Sequence, residues 1–350
     1  MNLLDEPEGF AALDPADALG ATLSAPQRFT EGLAAADGHT LPPARAVLLA
    51  GMGGSGIAGD VLAAAARASL ATPILLSKDA DLPAWVGPDT PVVALSHSGH
   101  TEETRSCAAA ALEAGAPVTA VTSGGPLADQ VAAGGGQVVT IPGGGQPRHA
   151  LGHLAGALAG LLGLAAQVPA AVVAQQAVVT ALGPHAPTAR NPAKLLAGAL
   201  GNVATVEVWA VSEPARAAAV RLACQLEEHA KLPAGVSVLP ELAHNEIVGW
   251  QHPVGAADSR ALVVLRDPAS ETAAARDRLD PAVEVVAPSF AHVAHRAVSS
   301  PGDPPLARIA ALCLAGDLTS VYAAYVRGVD PTPIAAIDTL KAAVAAAREA

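Results

Sequence analysis

The chain is 350 residues long, 51% hydrophobic, 15% charged and only 2% aromatic, with a formal net charge of −12. The apolar share excludes a disordered chain, and the length suits about two domains. The acidic balance and the shortage of aromatic stacking platforms exclude a protein that tracks nucleic-acid phosphates.

The opening stretch, MNLLDEPEGFAALD, is acidic and lacks the basic and apolar segments of a secretory signal. Cys107, Cys224 and Cys313 are widely spaced and odd in number, which speaks against a disulfide framework or a clustered thiolate metal site. A cytoplasmic location is expected. From about residue 46, short apolar runs alternate with helical stretches, and strands are predicted at 46–50, 73–77, 91–96, 117–123 and 137–142. Each run is apolar without alternation, as in a parallel sheet covered on both faces. The clearest helical segments between them are 56–69 and 101–115.

Between Arg148 and Arg190, 41 residues carry no Asp, Glu, Lys or Arg, a length that could hold a membrane span. The run is built from Ala and Gly rather than Leu and Ile, and contains His149, His153, Gln167, Pro169, Gln175, Gln176 and His185. The expectation is a pair of buried helices packed through small residues, with no membrane association. The alternation then restarts, with strands predicted at 206–211, 236–240, 261–266 and 283–288, a helix at 214–231, and two helices at the end. The predicted fold class is α/β, with two doubly wound three-layer (αβα) parallel-sheet domains. The expected boundaries are an N-terminal domain at 1–150, connecting helices at 151–190, and a C-terminal domain with terminal helices at 191–350.

Two loops carry the chemistry. AVLLAGMGGSGIAGD places Gly51, Gly53, Gly54, Ser55 and Gly56 after a strand and before a helix, where backbone N–H groups favour an anion. The spacing of Gly51, Gly53 and Gly56 also satisfies the dinucleotide fingerprint. The exit of the third strand, ALSHSGHTEET, offers Ser96, Ser98, Gly99, Thr101 and Thr104, again entering a helix. Two such loops at the carboxyl edge of one parallel sheet suit a compact phosphomonoester better than a long pyrophosphate. Ordinary capping and turn chemistry is the alternative for any one of these hydroxyls.

GMGGSGIAGD followed by SHSGHTEET resembles the sugar isomerase (SIS) domain, and in particular the two-domain bifunctional phosphoglucose/phosphomannose isomerase family. QPRHALGH at 146–153, CQLEEHAK at 224–231, LPELAHNEIVGW at 239–250 and GVDPTPIAAIDTLK at 328–341 extend the resemblance over most of the chain. It implies a cofactor-independent aldose–ketose isomerase that interconverts glucose 6-phosphate or mannose 6-phosphate with fructose 6-phosphate. By the same resemblance Gly53, Gly54 and Ser55 line the sugar site, Ser96, Ser98 and Thr101 hold the phosphate, and Arg148 stabilises an enediolate. Glu228 is implied as the base, and His244 and Lys341 as aids to ring opening, the histidine coming from the second subunit of a homodimer. The chain departs from the family pattern at His97, His100, His149, His229 and Ala243. The four imidazoles are expected to bear on sugar preference and on the pH profile, because an ordinary histidine titrates near neutrality.

The residues support these roles to different degrees. In the 213–231 helix Glu227 has Lys231 four residues on, a ready ion pair, whereas Glu228 has only Cys224 and Leu232 at those offsets. Glu228 is therefore expected beside apolar neighbours with a raised pKa, or else as a solvated helix-end carboxylate. Arg148 follows the triple glycine 143–145 and offers paired donors to developing negative charge, with a helix cap as the alternative. His244 lies in a loop 16 residues past Glu228, close enough in sequence for one cleft. Lys341 falls on the apolar stripe of Ile334, Ile337 and Val344, so it is either a snorkelling core-margin side chain or a proton donor. His149/His153 and His292/His295 have helical spacing, but no carboxylate or thiolate set completes a metal site, and no metal is expected. Two other functions compete: a non-catalytic phosphosugar sensor, and a nucleotide-dependent oxidoreductase resting on the glycine spacing and Asp79.

Overall fold

In the computed structural model the described residues are 3–251, 257–297 and 302–349. Helices α1 (Ala18–Leu23) and α2 (Ala25–Ala35) precede the first sheet. That sheet and its helices run β1 (Val47–Gly51), α3 (Gly53–Ala66), β2 (Ile74–Ser77), β3 (Val92–Leu95), α4 (Glu102–Glu113), β4 (Val118–Thr122), α5 (Gly125–Ala133) and β5 (Gln137–Thr140). Its strands are all parallel in the order β2-β1-β3-β4-β5. All five strands coincide with the predicted runs.

Helices α6 (Leu151–Leu161), α7 (Val168–Leu182) and α8 (Pro192–Leu200) lead into the second half. There follow β6 (Thr205–Ala210), α9 (Glu213–Ala230), β7 (Ala234–Val238), α10 (Glu246–Gly249), β8 (Arg260–Arg266), α11 (Ala273–Val286), β9 (His292–Ala297), α12 (Pro305–Val326) and α13 (Ala335–Glu349). The second sheet is parallel in the order β7-β6-β8-β9.

Alternation along each strand sorts side chains into layers. In the first sheet Leu48, Ala50, Val92 and Ala94 face Cys107, Ala111 and Leu127 of α4 and α5. Val47, Leu49, Val93 and Leu95 face the other way, into a core shared with Val206, Val208, Val263 and Leu265 of the second sheet. The outer face of the second sheet presents Trp209, Leu262 and Val264 to Leu279 and Val286 of α11. The two halves are thus three-layer units that meet through their inner helices, and α12 packs on α9, α7, α8 and α3 at the centre.

Two predictions are corrected. The 283–288 segment is not a strand: it forms the end of α11 and a following 3-10 turn, and the fourth strand of the second sheet is β9. Ala275, Leu279, Ala282 and Val286 share a buried face at helical spacing, so packing on the sheet overrides the β-branched composition. The charge-free run is only half as expected. Helix α6 is buried, and at its crossing with α2 a Cβ on Gly156 would lie 2.3 Å from the Phe29 carbonyl oxygen, which is why small residues are required. Helix α7 instead keeps an open apolar face, with Val173 70% exposed. Two segments, 165–182 and 305–326, have the length and apolarity of a membrane span, and the second is the buried central helix α12.

Candidate functional site

The strand order places a topological switch point between β1 and β3, because β1 crosses over to β2 on one side and β3 to β4 on the other. The loops leaving these neighbours are the glycine-rich and hydroxyl-rich ones. Helix α3 begins behind Met52 and α4 behind Thr101, and neither residue caps its helix with a side chain. The first-turn amides of both helices are left for a ligand, with the positive ends of both dipoles aimed at one crevice. At the equivalent edge of the second sheet, Ser212 Oγ accepts from the Ala215 N–H and Thr272 Oγ1 from the Ala275 N–H, closing both helix starts internally. A cavity of about 530 Å³ lies at this second edge, so space alone does not mark a ligand site.

The loops of the first edge are tied together. Ser55 Oγ accepts the His97 N–H at 3.1 Å, and the His97 carbonyl accepts from Ser123 N and Oγ at 3.0 and 2.7 Å. Ser96 is fully buried, its hydroxyl paired with Thr101 Oγ1 at 2.9 Å and accepting the Gly99 N–H at 3.1 Å. Ser96 thus shapes the loop, while Ser98 is exposed and Thr101 half-buried. Gly53 is exposed, and Gly54 is where Arg148 arrives: a Cβ there would meet the Arg148 Cα at 3.2 Å.

Arg148 sits in a 3-10 turn at Pro147–Ala150 after β5, and its side chain is only 2% exposed. One end of its guanidinium donates from Nη1 to Glu228 Oε2 at 2.5 Å, and Nη2 donates to the Thr332 carbonyl. Glu228 comes from the last turns of α9, in the other half of the chain. Its surroundings are a guanidinium and, at 28% exposure, solvent, in place of the apolar neighbours expected. The expected Glu227–Lys231 pair is not formed either. Lys231 takes a left-handed conformation (φ 53°) at the end of α9 and turns its ammonium back onto the Glu228 carbonyl at 2.5 Å.

His244 and Lys341 are placed elsewhere. Helix α9 descends from the carboxyl edge of the second sheet, β7 climbs back, and His244 ends the 3-10 turn Glu241–His244 beyond it. Glu228 and His244 of one chain therefore lie at opposite edges, separated by the strand length of roughly 15–20 Å. Sequence proximity does not bring them into one cleft. Lys341 is exposed on α13, and its stripe is only partly covered: Ile334 is half-buried, Ile337 and Val344 are 40% and 42% exposed, and Leu340 on the same face is 63% exposed. The segment leading into α13 and the last turn of α13 nevertheless border the crevice, through Thr332 on Arg148 and through Arg348 paired with Glu102 of α4.

Burial decides the histidines. His149 stacks on His229 with ring centroids 5.6 Å apart. Burial first, and then the Arg148 guanidinium, hold His149 down to about 3. Burial and the neighbouring His149 hold His229 well below the usual range, and burial also lowers His97. The Ser320 hydroxyl donates to the Asp317 carbonyl at 2.7 Å, so it accepts from His229 Nδ1 at 2.9 Å, which assigns the proton of a neutral ring. His149 and His229 therefore do not titrate near neutrality, contrary to expectation, and His97 is shifted in the same direction.

The shift has a sign. An unfolded His149 binds a proton below its ordinary value and the folded one does not until about 3, so stability is lost as pH falls from about 6.5 towards 3. At pH 5 the loss from this residue is about 2 kcal/mol. His149→Gln is expected to shrink the difference in denaturation free energy between pH 8 and pH 5 by about that amount, measured by urea unfolding at both pH values.

Several participants were not singled out from the sequence: Arg28, Ser123, Arg221, Asp317 and Thr332. Of these, Asp317 left a signal, as the lone acid in the 22-residue apolar helix α12, where a charge needs a partner. Among the described residues no three His, Cys, Asp or Glu side chains cluster as metal ligands.

Comparison with known proteins agrees with this geometry. The family described as bacterial phospho-glucose isomerase C-terminal SIS domain matches residues 189–344. A bifunctional phosphoglucose/phosphomannose isomerase of Caldicellulosiruptor bescii is 35% identical over 302 residues, covering 84% of this chain and 88% of that protein. One of Thermoplasma acidophilum is 30% identical over 309 residues, with 84% and 88% covered. Among solved structures, a hypothetical protein from Thermus thermophilus superimposes with a TM-score of 0.76 at 16% identity, over 99% of this chain and 95% of that one. Tagatose-6-phosphate ketose/aldose isomerase from Escherichia coli gives 0.63 at 16% identity, with 94% of each chain covered. The family model marks an SIS domain in the second half, the structural likenesses show the same fold over nearly the whole chain, and the sequence relatives show that this chain belongs to the bifunctional phosphoglucose/phosphomannose isomerase family.

Proposed function

We infer that the protein is an aldose–ketose isomerase acting on hexose 6-phosphates, interconverting glucose 6-phosphate or mannose 6-phosphate with fructose 6-phosphate through a cis-enediolate. The observation that carries this reading is the Glu228–Arg148 contact of 2.5 Å beside the open helix starts at the switch point of the first sheet. The terminal phosphate sits against the amides of α3 and α4 with Ser98 and Thr101. Ser55, whose oxygen is engaged by His97, keeps its hydroxyl hydrogen for a sugar or phosphate oxygen.

Glu228 removes the proton from C2. As it does so, negative charge leaves the carboxylate and appears on the substrate oxygens, and Arg148 stands beside both positions. A cation that keeps a counter-charge throughout the transfer costs little reorganisation. Glu228 then returns the proton to C1 while the hydroxyl proton passes from O2 to O1 across the enediolate, which leaves the C2 carbonyl of the ketose. The phosphate, remote from the reacting carbons, holds them in register, so binding energy from one end supports chemistry at the other.

Ring opening falls to His244 and Lys341, with His244 supplied by a second copy in a homodimer. The opposite-edge placement of His244 and the uncovered apolar face of α13 beside the crevice support that arrangement. The three cysteines are unpaired, which suits a reducing cytosol.

The test is a coupled assay on glucose 6-phosphate and mannose 6-phosphate with a chelator present. Turnover of at least one aldose phosphate, unchanged by the chelator, is the expected result. Tight binding of both without turnover would return the protein to a phosphosugar sensor.

A further inference from the structure

The segment that carries Arg148 is held from below by two more guanidiniums. Arg221 of α9 donates from Nη2 to the Arg148 carbonyl at 2.9 Å, and Arg28 of α2 donates from Nη1 to the His149 carbonyl at 2.6 Å. Arg221 is buried and is itself fixed by Asp317 of α12, whose Oδ2 accepts from Nη2 at 2.8 Å and from Nε at 3.0 Å. Arg221 and Glu228 are seven residues apart on α9, two helical turns, so they share one face of one rigid rod about 10 Å apart along its axis.

We propose that Arg221, locked by Asp317, is a positioning residue for isomerisation: it fixes the backbone of Arg148 to the same helix that carries Glu228. The inference rests on the reading of Glu228 and Arg148 as the reacting pair. A loop residue facing a helix residue can drift by an ångström or more, and displacements of that size cost on the order of 10²-fold in rate. A single helix holding the carboxylate directly and the guanidinium through its carbonyl removes that freedom. The planar fork of arginine is needed, because it grips Asp317 with two donors and still reaches the Arg148 carbonyl. A lysine at 221 keeps the charge and loses one of these contacts.

A merely structural ion pair makes a different prediction. Buried pairs are often replaceable by apolar residues of like volume without loss of stability. The experiment therefore compares Arg221→Lys, the double variant Arg221→Met/Asp317→Leu, and Arg148→Lys in the full chain, reading kcat, KM and thermal midpoint. Expected for Arg221→Lys and for the double variant is a fall in kcat of tenfold or more, on the order of 10²-fold at most, with KM within about twofold, since the phosphate loops are untouched. A double variant that is as stable as the parent yet slow separates positioning from stability. Should that variant not fold, Arg221→Lys carries the same split between kcat and KM. Wild-type kcat in a folded Arg221→Lys or in the folded double variant, alongside a crippled Arg148→Lys, overturns the positioning role alone. Wild-type kcat in Arg148→Lys overturns the reading of the pair on which it rests.

Discussion

Glu228→Gln is expected to lower kcat by about 10²–10⁴-fold while leaving phosphosugar affinity within about twofold. The amide has the volume of the carboxylate, and its oxygen can still accept from Arg148 Nη1, so the contact that joins the two halves persists. What is lost is the basic oxygen that takes the C2 proton. Affinity is spared because the phosphate is held by the openings of α3 and α4, on other elements of the crevice. Because Glu228 is partly exposed, the proton it carries should exchange with solvent between its two transfers. Parent enzyme in deuterium oxide should thus build deuterium into the product, and the variant should not. Kinetics, calorimetric titration with fructose 6-phosphate and mass analysis of the product read the three quantities. Turnover near that of the parent would remove Glu228 from the chemistry.

Legibility followed locality. The five strands of the first sheet and the two loops at its switch point are short-range features, written in consecutive apolar runs and in glycines and hydroxyls between strand and helix. The edge strand β9, HVAHRA, was not legible, because a half-exposed edge has no need of a continuous apolar run and carries histidine and arginine instead. Its neighbour VEVV has β-branched composition and yet closes α11, where the buried stripe ending at Val286 decides.

At the site, the contact between Arg148 and Glu228 spans 80 residues and is the product of two halves packing through their inner helices. No spacing announces it. The surroundings of Glu228 follow from that packing, which explains why helical offsets alone pointed to apolar neighbours. The placement of His244 was available in principle: in an α/β alternation, the end of a helix and the loop after the next strand lie at opposite edges of the sheet. The neutrality of His149 and His229 depends on burial between α9 and the turn at 147–150, which residue identity does not convey.

That opposite-edge placement gives the second large effect. If His244 completes the site of the other subunit, then Glu228→Gln and His244→Ala are each inactive as homodimers for different reasons, and mixing them should restore activity. Random reassortment makes half of the dimers hybrids. In each hybrid one site collects both lesions and the other collects none, so recovery approaches about a quarter of the parent activity. If His244 acts within its own chain, every site in the mixture carries one lesion and nothing returns. The readout is activity after co-refolding or co-expression, with differently tagged subunits used to isolate hybrids, which should carry about half the parent activity. The uncovered stripe of Ile337, Leu340 and Val344 gives an independent control. Leu340→Asp puts a charge on a face that a partner would bury, and is expected to lower both dimer content and recovered activity together. A chain that stays fully active as a monomer would instead place ring opening on groups of its own subunit and leave α13 without a catalytic partner.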